Sequence, residues 1–243
     1  MAEQLDFTGK VAVVTGVGRT GQIGHAVASR LGRAGAQLVI VDVNAVNVAN
    51  RAREMSKQGF QVQPAAGDLT QPDVASWVVE QATEAWGRID ILVNVAGGLT
   101  GTGSVTDASP DVLEKEMAIN ARTMFVMSQA AARSMAGRRS GAIVSFASMA
   151  AINPRPDMAA YSAAKAAVAA LTRSLALELR DQGVRVNAVA PGTVRTDENR
   201  QSMGDARVTW VEMSDVVNAV LFLASDLSRG ITGHVLPVSL GEP

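Results

Sequence analysis

The chain has 243 residues, enough for one large α/β domain with a sizeable core. Apolar residues make up 47% and charged residues 19%, as in ordinary soluble globular proteins, and the formal net charge is −1. The 22 Lys and Arg residues are spread along the chain, which argues against a nucleic-acid surface, and the absence of Cys excludes disulfides, thiolate catalysis and cysteine-zinc sites.

Two further features narrow the class of protein. His25 and His234 lie far apart in the sequence without ligand spacing, so no metal site is predicted. The amino-terminal residues MAEQLDFTGK lack the basic-then-apolar pattern of a signal peptide, and no apolar run reaches membrane-spanning length. We therefore expect a cytoplasmic protein whose partners include neither a membrane nor a nucleic acid.

Short apolar strands alternate with helices along the chain, with no linker between them. In chain order the pattern predicts strand 11–15, helix 25–34, strand 37–41, helix 45–57, strand 61–65, helix 72–86, strand 89–93, helix 110–136, strand 142–146, helix 159–180, strand 184–189, helix 214–224 and strand 234–238. Strict alternation indicates a parallel sheet covered by helices on both faces. We therefore expect a single doubly wound α/β domain over residues 1–243.

A glycine-rich segment, GVGRTGQIG, links the first strand to the first helix. Strand, glycine loop and helix is the order that a phosphate-binding loop requires, because glycines admit a pyrophosphate and the helix amino terminus offers free N–H groups. Gly16, Arg19, Gln22 and Ile23 are therefore candidate cofactor-binding residues. The alternative is a turn that only connects the two elements.

Asp42 ends the second strand, where an acid in a nucleotide-binding fold accepts hydrogen bonds from the adenosine ribose diol. The same carboxylate would repel a 2′-phosphate, so Asp42 favours NAD(H), with NADP(H) second. The alternative role for Asp42 is to cap the next helix, which Asn44 could do itself.

The segment from Ser148 to Lys165 carries three side chains capable of chemistry. Tyr161, the only Tyr of the chain, and Lys165 are i and i+4 on the predicted helix and share one face. An ammonium group lowers the pKa of a neighbouring phenol from about 10, but a pKa of about 7 requires about 4 kcal/mol, so we expect a second cation such as an oxidised nicotinamide. The alternative is a surface Tyr packed on a Lys stem.

Further polar or glycine-rich residues follow the predicted strands, at the edge where such sheets bind ligands. Asp68 and Leu69 follow the third strand, Asn94, Ala96 and Gly97 the fourth, Ser148 the fifth, and Pro191, Gly192, Val194 and Thr196 the sixth.

Together with Asn120, these motifs resemble, in order and over essentially the whole chain, the classical short-chain dehydrogenase/reductase family, and in particular its 3-oxoacyl-ACP-reductase-like members. The resemblance implies a Rossmann fold with a seven-stranded parallel sheet and hydride transfer between NAD(P)(H) and a secondary alcohol or ketone. It implies that Tyr161 is the general acid/base, Lys165 lowers its pKa and holds the nicotinamide ribose, Ser148 binds the substrate oxygen, and Asn120 holds a relay water.

For the cofactor, the resemblance implies three groups of contacts. Asp68 and Leu69 flank the adenine; Asn94, Ala96 and Gly97 line the ribose and diphosphate; Val194 and Thr196, after Pro191 and Gly192, hold the nicotinamide carboxamide. Arg19 opposes the NAD prediction, because family members that use NADP often carry a basic residue in this loop.

The sequence departs from the family pattern in the glycine loop, which is longer than usual. Gln22 stands where a glycine usually lies, so either Gln22 tolerates the close backbone approach or Gly21 takes its place. Val95 replaces a more usual Asn, which predicts the loss of a hydrogen bond at the end of the fourth strand.

The stretch 197–213, which forms the lid over the substrate in the family, is shorter than usual and is similar to a short-lid subgroup that includes dihydropteridine-reductase-like members. Ser148 favours a carbonyl/alcohol pair over a pterin. Leu99, Met149 and Met158 are candidates to line the substrate pocket, or else to fill the core.

Two alternative functions stay open: an NADPH-dependent 3-oxoacyl-thioester reductase, and a nucleotide-binding sensor without catalysis. The predicted helices 110–136 and 159–180 are apolar around more of their circumference than one sheet face requires. Pairing with their two-fold mates would cover this surface, as the resemblance also implies, so we expect a homotetramer, with a dimer second.

Overall fold

The computed structural model describes residues 5–203 and 208–241. Its strands are β1 Val11–Thr15, β2 Gln37–Asp42, β3 Val62–Ala66, β4 Ile91–Asn94, β5 Gly141–Phe146, β6 Val184–Pro191, β7 Thr193–Val194, β8 Trp210–Val211 and β9 Val235–Val238. Within the described residues, seven of these strands form one parallel sheet in the order β3-β2-β1-β4-β5-β6-β9, and β7 pairs with β8. The predicted doubly wound, seven-stranded Rossmann sheet is confirmed.

The helices are α1 Ile23–Arg33, α2 Ala45–Lys57, α3 Pro72–Trp86, α4 Pro110–Glu116, α5 Thr123–Ala136, α6 Ala159–Leu179, α7 Asp197–Met203 and α8 Met213–Ala224. They cover both faces of the sheet. One core layer joins the sheet to α3, α5 and α6, and the other joins it to α1, α2 and α8. The central strands are continuous apolar runs because both of their faces are buried, as in other parallel sheets.

The predicted single helix over residues 110–136 is interrupted. A π-helical segment, Met117–Arg122, lies between α4 and α5, and the residues on either side of it keep right-handed helical angles. The apolar pattern continues through the segment, so periodicity alone predicts one helix. Wide turns of this kind often occur at functional sites, and this one contains the buried Asn120.

The stretch predicted as a short lid folds into α7 and β8 after β6 and β7. Residues 204–207 of this stretch lie outside the described residues, as do residues 1–4 and 242–243 at the ends of the predicted domain. In the part of the chain that the structure describes, no helix combines the length and apolarity needed to cross a membrane.

The strand order reverses direction between β1 and β4, and this is the point at which sheets of this class bind ligands beyond their carboxyl ends. The register pairs Thr15 with Val41 and Asn94 with Ser145, so the loops that follow these strands meet at one edge. The sequence-predicted site residues lie at this edge or on the helices beside it.

Candidate active site

The glycine loop joins β1 to α1 and lies against the chain that follows β4. A Cβ at Gly16, which has φ +73°, would lie 2.9 Å from the amide nitrogen of Ala96. Gly21 has φ +72°, whereas Gln22 is extended at φ −100°, a conformation open to any residue. Of the two registers that the sequence allowed, Gly21 therefore makes the left-handed turn, and Gln22 needs no glycine-like backbone.

Helix α1 begins at Ile23, two residues before the predicted start. Among the described residues, no side chain caps its amino terminus, and its first turn holds no acidic residue. An uncapped helix end presents free N–H groups and the positive end of the helix dipole. This helix end and the close approach at Gly16 together fit the diphosphate of a dinucleotide cofactor.

Asp42 faces the glycine loop from the end of β2. Its Oδ2 accepts a hydrogen bond from the Gly18 amide at 2.7 Å, and its Oδ1 accepts one from the Asn44 amide at 3.0 Å. Asn44 caps helix α2 itself, with its side chain accepting from the Asn47 amide at 3.0 Å. Asp42 is therefore not the helix cap, and its carboxylate is held at the loop where the ribose diol is expected.

Arg19 contacts helix α7. Its Nη1 lies 2.7 Å from Oε2 of Glu198 on α7, and Gln22 donates to the same oxygen at 3.3 Å. The two charged side chains are both largely exposed. The Arg19 guanidinium therefore has a carboxylate partner on α7, and the choice between NAD(H) and NADP(H) stays a prediction.

The chain after β4 is held by β1 rather than by an Asn side chain. Thr15 Oγ1 accepts hydrogen bonds from the amides of Val95 at 3.0 Å and Ala96 at 2.9 Å. Asn94 is buried, and its Nδ2 donates to Ser128 at 3.0 Å and to Ser145 at 3.2 Å. The backbone at Val95 therefore keeps its hydrogen bond, despite the replacement of the usual Asn.

The loop after β3 presents one polar and one apolar candidate residue. Asp68 is exposed, and hydrogen bonds from the backbone and hydroxyl groups of Thr70 hold the pKa of its carboxyl below the usual range. Leu69 is buried in the core. Leu69 therefore has a packing role whether or not it also flanks an adenine.

Lys165 is buried at the carboxyl end of β5. Its Nζ donates to the carbonyl oxygen of Phe146 at 2.9 Å and lies 5.7 Å from the centroid of the Tyr161 ring. Burial lowers the pKa of this amine to about 8, partly opposed by the nearby carboxylate of Glu116. Tyr161 and Lys165 share one face of α6, as predicted.

Tyr161 is half-buried one turn before this lysine. Burial raises the pKa of its phenol, a hydrogen bond with Ser148 lowers it, and Glu116 raises it further. The protein alone thus holds the phenol protonated at neutral pH. This agrees with the expectation that one lysine is insufficient to bring the phenol pKa to neutrality, while the second cation stays a prediction.

Asn120 lies in the π-helical segment with its side chain fixed from three directions. Its Nδ2 donates to the carbonyl of Gly98 at 3.0 Å, to the carbonyl of Glu116 at 3.0 Å and to Oε2 of Glu116 at 2.8 Å. Its Oδ1 accepts from the Gly98 amide at 3.0 Å, and a Cβ at Gly97 would lie 2.6 Å from the same oxygen. The amide thus positions the loop after β4.

The residues after β6 form the opposite side of the edge. The Gly192 amide, after Pro191, donates to the Val238 carbonyl at 3.0 Å. Val194 and Thr196 are buried; Asn199 donates to the Val194 carbonyl at 2.8 Å, and Thr196 Oγ1 accepts from the Asn199 amide at 3.1 Å. These bonds fix the start of α7.

The candidate pocket residues lie at the surface rather than in the core. Leu99 is 44% exposed, and Met149 and Met158 are partly exposed on either side of the segment between β5 and α6. The Gly103 amide donates to the Asp157 carbonyl at 3.0 Å, which ties the loop after β4 to this segment. Core filling is therefore excluded for Leu99.

Sequence reasoning missed one buried side chain, Glu116, which contacts Asn120 and acts electrostatically on Tyr161 and Lys165. The signal was present, since Glu116 stands four residues before Asn120 and so shares its helix face. In the part of the chain that the structure describes, no three His, Cys, Asp or Glu side chains group to hold a metal ion.

The geometry places the carboxyl edge of the sheet, with its glycine loop, beside Ser148, Tyr161 and Lys165. The sequence pattern of the short chain dehydrogenases matches residues 10–206, and the chain belongs to this family. It is an NAD(P)-dependent alcohol dehydrogenase or ketoreductase, an oxidoreductase that acts on an alcohol/ketone pair. The finer likeness to 3-oxoacyl-ACP reductases stays a prediction.

Several characterised proteins resemble the chain over nearly its full length. A 2-(S)-hydroxypropyl-CoM dehydrogenase of Xanthobacter autotrophicus is 36% identical, covering 96% of each chain. A cyclohexanol dehydrogenase of a Rhodococcus species is 34% identical, covering 99% of this chain and 98% of its own. A 7α-hydroxysteroid dehydrogenase solved with NADH and 7-oxo glycochenodeoxycholic acid superposes with a TM-score of 0.90 at 31% identity, covering 98% of this chain and 96% of its own.

Proposed function

We propose that this enzyme interconverts a secondary alcohol and a ketone with Tyr161 as the general acid and base. The observation that carries the proposal is the buried Lys165, fixed by Phe146 within 5.7 Å of the Tyr161 ring, together with the hydrogen bond between Tyr161 and Ser148. A bound nicotinamide supplies hydride transfer to or from the carbinol carbon.

The side chains would share the work on the oxygen of the substrate. In alcohol oxidation, Tyr161 takes the hydroxyl proton, and the charge of Lys165 favours the phenolate form. In ketone reduction, Ser148 and Tyr161 donate hydrogen bonds to the oxygen that gains negative charge. Asn120, held in the π-helical segment, would position the water that connects Lys165 with solvent.

Two features support NAD(H) over NADP(H) as the cofactor. Asp42 holds its carboxylate against Gly18, at the place expected for the ribose diol, where a 2′-phosphate would be repelled. Arg19, the basic residue that could favour that phosphate, pairs with Glu198. At the diphosphate, the proposed contacts are those of Gly16, Gln22 and Ile23.

The other proposed cofactor contacts follow the strand ends: Asp68 and Leu69 at the adenine, Asn94, Ala96 and Gly97 at the ribose and diphosphate, and Pro191, Gly192, Val194 and Thr196 at the nicotinamide. Their support is their common position at the carboxyl edge of the sheet.

We propose a cyclic secondary alcohol or ketone as the substrate class. Two of the three relatives named above are a cyclohexanol dehydrogenase and a hydroxysteroid dehydrogenase, whose substrates are ring alcohols, whereas the third is a 2-(S)-hydroxypropyl-CoM dehydrogenase. The exposed Leu99 and the partly exposed Met149 and Met158 offer apolar surface for a ring. A 3-oxoacyl thioester stays the alternative substrate class.

The proposed assembly is a homotetramer, with a dimer second. The helical stretch from α4 through the π-helical segment to α5 is called the long helix. An apolar groove of about 630 Å³ runs between this long helix and α6, lined by Met117, Ala121, Phe125, Ala170 and Leu171 among others. Met117 and Phe125 are 37% and 39% exposed. A two-fold related copy of the same helices would fill the groove and bury these side chains. The cytoplasmic location stays a prediction from the sequence, to be checked by cell fractionation.

Steady-state turnover with a panel of ketones and with NADH and NADPH tests the proposal. We expect NADH-dependent reduction of ring ketones such as cyclohexanone. Turnover with NADPH and 3-oxoacyl thioesters alone would support the alternative reductase. Tight NADH binding without turnover of any ketone or alcohol would support a nucleotide-binding sensor and contradict the proposal.

A further inference from the structure

A carboxylate is buried beside the proposed catalytic residues without a role in the chemistry described so far. Glu116, at the end of α4, is only 1% exposed. A buried carboxylate costs free energy unless charged or hydrogen-bonding partners compensate it. Its partners therefore indicate what the side chain does.

Both oxygens of Glu116 accept hydrogen bonds. Oε1 accepts from the backbone amide of Thr100 at 2.6 Å and from its hydroxyl at 2.7 Å, and Oε2 accepts from Asn120 Nδ2 at 2.8 Å. Three donors therefore satisfy the hydrogen-bonding capacity of this buried side chain. The side chain thus joins the long helix to the loop that follows β4.

The connection fixes both ends of that loop segment. The Asn120 side chain forms hydrogen bonds with the backbone amide and carbonyl of Gly98. Glu116 accepts a hydrogen bond from the backbone amide of Thr100, two residues further along the chain. Leu99, a candidate for the pocket wall, lies between these two anchors. The orientation of the Asn120 amide and the position of Leu99 therefore both depend on Glu116.

The same carboxylate acts on the charge of the site. The titratable side chains that meet here are Glu116 from α4 and Tyr161 and Lys165 from α6, while the β4 loop and the end of β5 contribute hydroxyl and backbone groups. Glu116 raises the pKa of the Tyr161 phenol and the pKa of the Lys165 amine. It therefore keeps Lys165 charged to a higher pH and delays ionisation of Tyr161.

We propose that Glu116 is a positioning residue for this reaction, which orients Asn120 and the 98–100 loop and sets the charge balance of the Tyr161 and Lys165 pair. The proposal rests on the proposed function, because it assumes that Tyr161 exchanges the proton. The alternative is that Glu116 only stabilises the fold and has no effect on the reaction.

Glu116→Gln tests the charge while nearly conserving the shape. Without the negative charge, Tyr161 ionises and Lys165 is neutralised at lower pH, so the whole pH profile of kcat/KM for alcohol oxidation should move toward acid, by about 0.5 units or more. We also expect kcat to fall about tenfold, because the Gln amide presents N–H rather than an acceptor to one of its donors. Asp111→Asn, which removes the same charge from an exposed position on α4, is the matched control and should match the wild type.

Thr100→Val keeps the Glu116 side chain and removes the hydroxyl that donates to its Oε1. This variant tests the positioning role even if Glu116→Gln does not fold. It should raise KM at least about threefold by loosening the 98–100 loop, with the midpoint of the pH profile unmoved. A Thr100→Val variant with the KM and kcat of the wild type would overturn the positioning role.

Tyr161→Phe in the same series separates the two proposals. An inactive Tyr161→Phe with a Glu116→Gln profile that coincides with the wild type, whatever its thermal stability, overturns the role of Glu116 alone. An active Tyr161→Phe overturns the acid/base assignment instead. An acid shift in Glu116→Gln but not in Asp111→Asn supports the inference.

Discussion

Lys165 carries its ammonium group into the interior, where the Phe146 carbonyl is its hydrogen-bond partner. Burial lowers its pKa in the folded state to about 8, whereas the pKa of a lysine in the unfolded chain is about 10.4. Between these values the unfolded chain binds more protons, so this group makes the folded state more stable as pH rises through that window.

Lys165→Met removes this contribution. We expect the free energy of unfolding of the wild type, relative to the variant, to increase by about 3 kcal/mol from about pH 8 to about pH 10.4. Urea unfolding at intervals across this range measures the difference. Parallel curves for the two proteins would show that the buried amine does not have a lowered pKa.

Replacement of Asp42 tests the assignment of NAD(H) as the preferred cofactor. We expect the wild type to bind NADH more tightly than NADPH, and Asp42→Ala to narrow or reverse this preference because the repulsion of the 2′-phosphate is lost. Titration of both cofactors by fluorescence measures the ratio of Kd values.

Arg19→Ala is the control for the cofactor test, since Arg19 pairs with Glu198 and should leave the ratio unchanged. A wild type that prefers NADPH, with the preference lost in Arg19→Ala, would show that Arg19 rather than Asp42 decides the cofactor.

At the scale of elements, the described residues of the stretch predicted as a lid form the short helix α7 and the short strand β8. Helix α7 contacts the glycine loop through Glu198, and a Cβ at Gly21 would lie 3.1 Å from Asp197 Oδ2. The first turn of α7 is thus held against the glycine loop.

We expect kcat/KM to stay within about tenfold from cyclohexanone to fused-ring ketones, because a short lid does not close over small substrates alone. Linear ketones of the same carbon number control for hydrophobicity. A steep preference for the smallest ketone of the series would contradict an open site.

Elements with strong local signals could be predicted from the sequence, and those shaped by tertiary contacts could not. The strands that form the sheet lie within about two residues of their predicted bounds. Short apolar runs between turn-forming residues are a strong local signal for buried strands. Helix α7 is short and polar, and strand β8 is only two residues long, so neither carries a comparable period. The π-helical segment around Asn120 keeps the apolar pattern of an ordinary helix.

The site shows the same division. Asp42, Tyr161 and Lys165 follow from strand ends and helix spacing, and the structure places them where these predict. The side-chain orientation of Arg19 depends on its contact with Glu198, which is remote in sequence. The burial of Glu116 depends on its hydrogen bonds with Thr100 and Asn120. A single sequence gives the residue types at such contacts but not which partners the fold brings to them.

At the scale of the molecule, the groove between the long helix and α6 leaves apolar side chains partly exposed, and a second copy would cover them. We expect light scattering at micromolar concentration to give a mass near four times the 25.3 kDa of the chain. A mass near that of one chain would contradict the proposed assembly.

Ala170→Glu should dissociate the assembly without unfolding the subunit, because Ala170 is exposed in the groove and a buried unpaired carboxylate would be costly in the interface. Ala85→Glu, the same change at an exposed position on α3, is the control and should leave the mass unchanged. Equal masses for both variants and the wild type would place the interface elsewhere.

The most direct test of the central claim is the turnover of Tyr161→Phe. Phe keeps the ring that packs beside Lys165 and removes only the proton-transfer group, so NADH binding should remain within about threefold of the wild type. The kcat for ketone reduction should fall by about 10²-fold or more. Activity within about tenfold of the wild type would contradict the assignment of Tyr161 as the general acid and base.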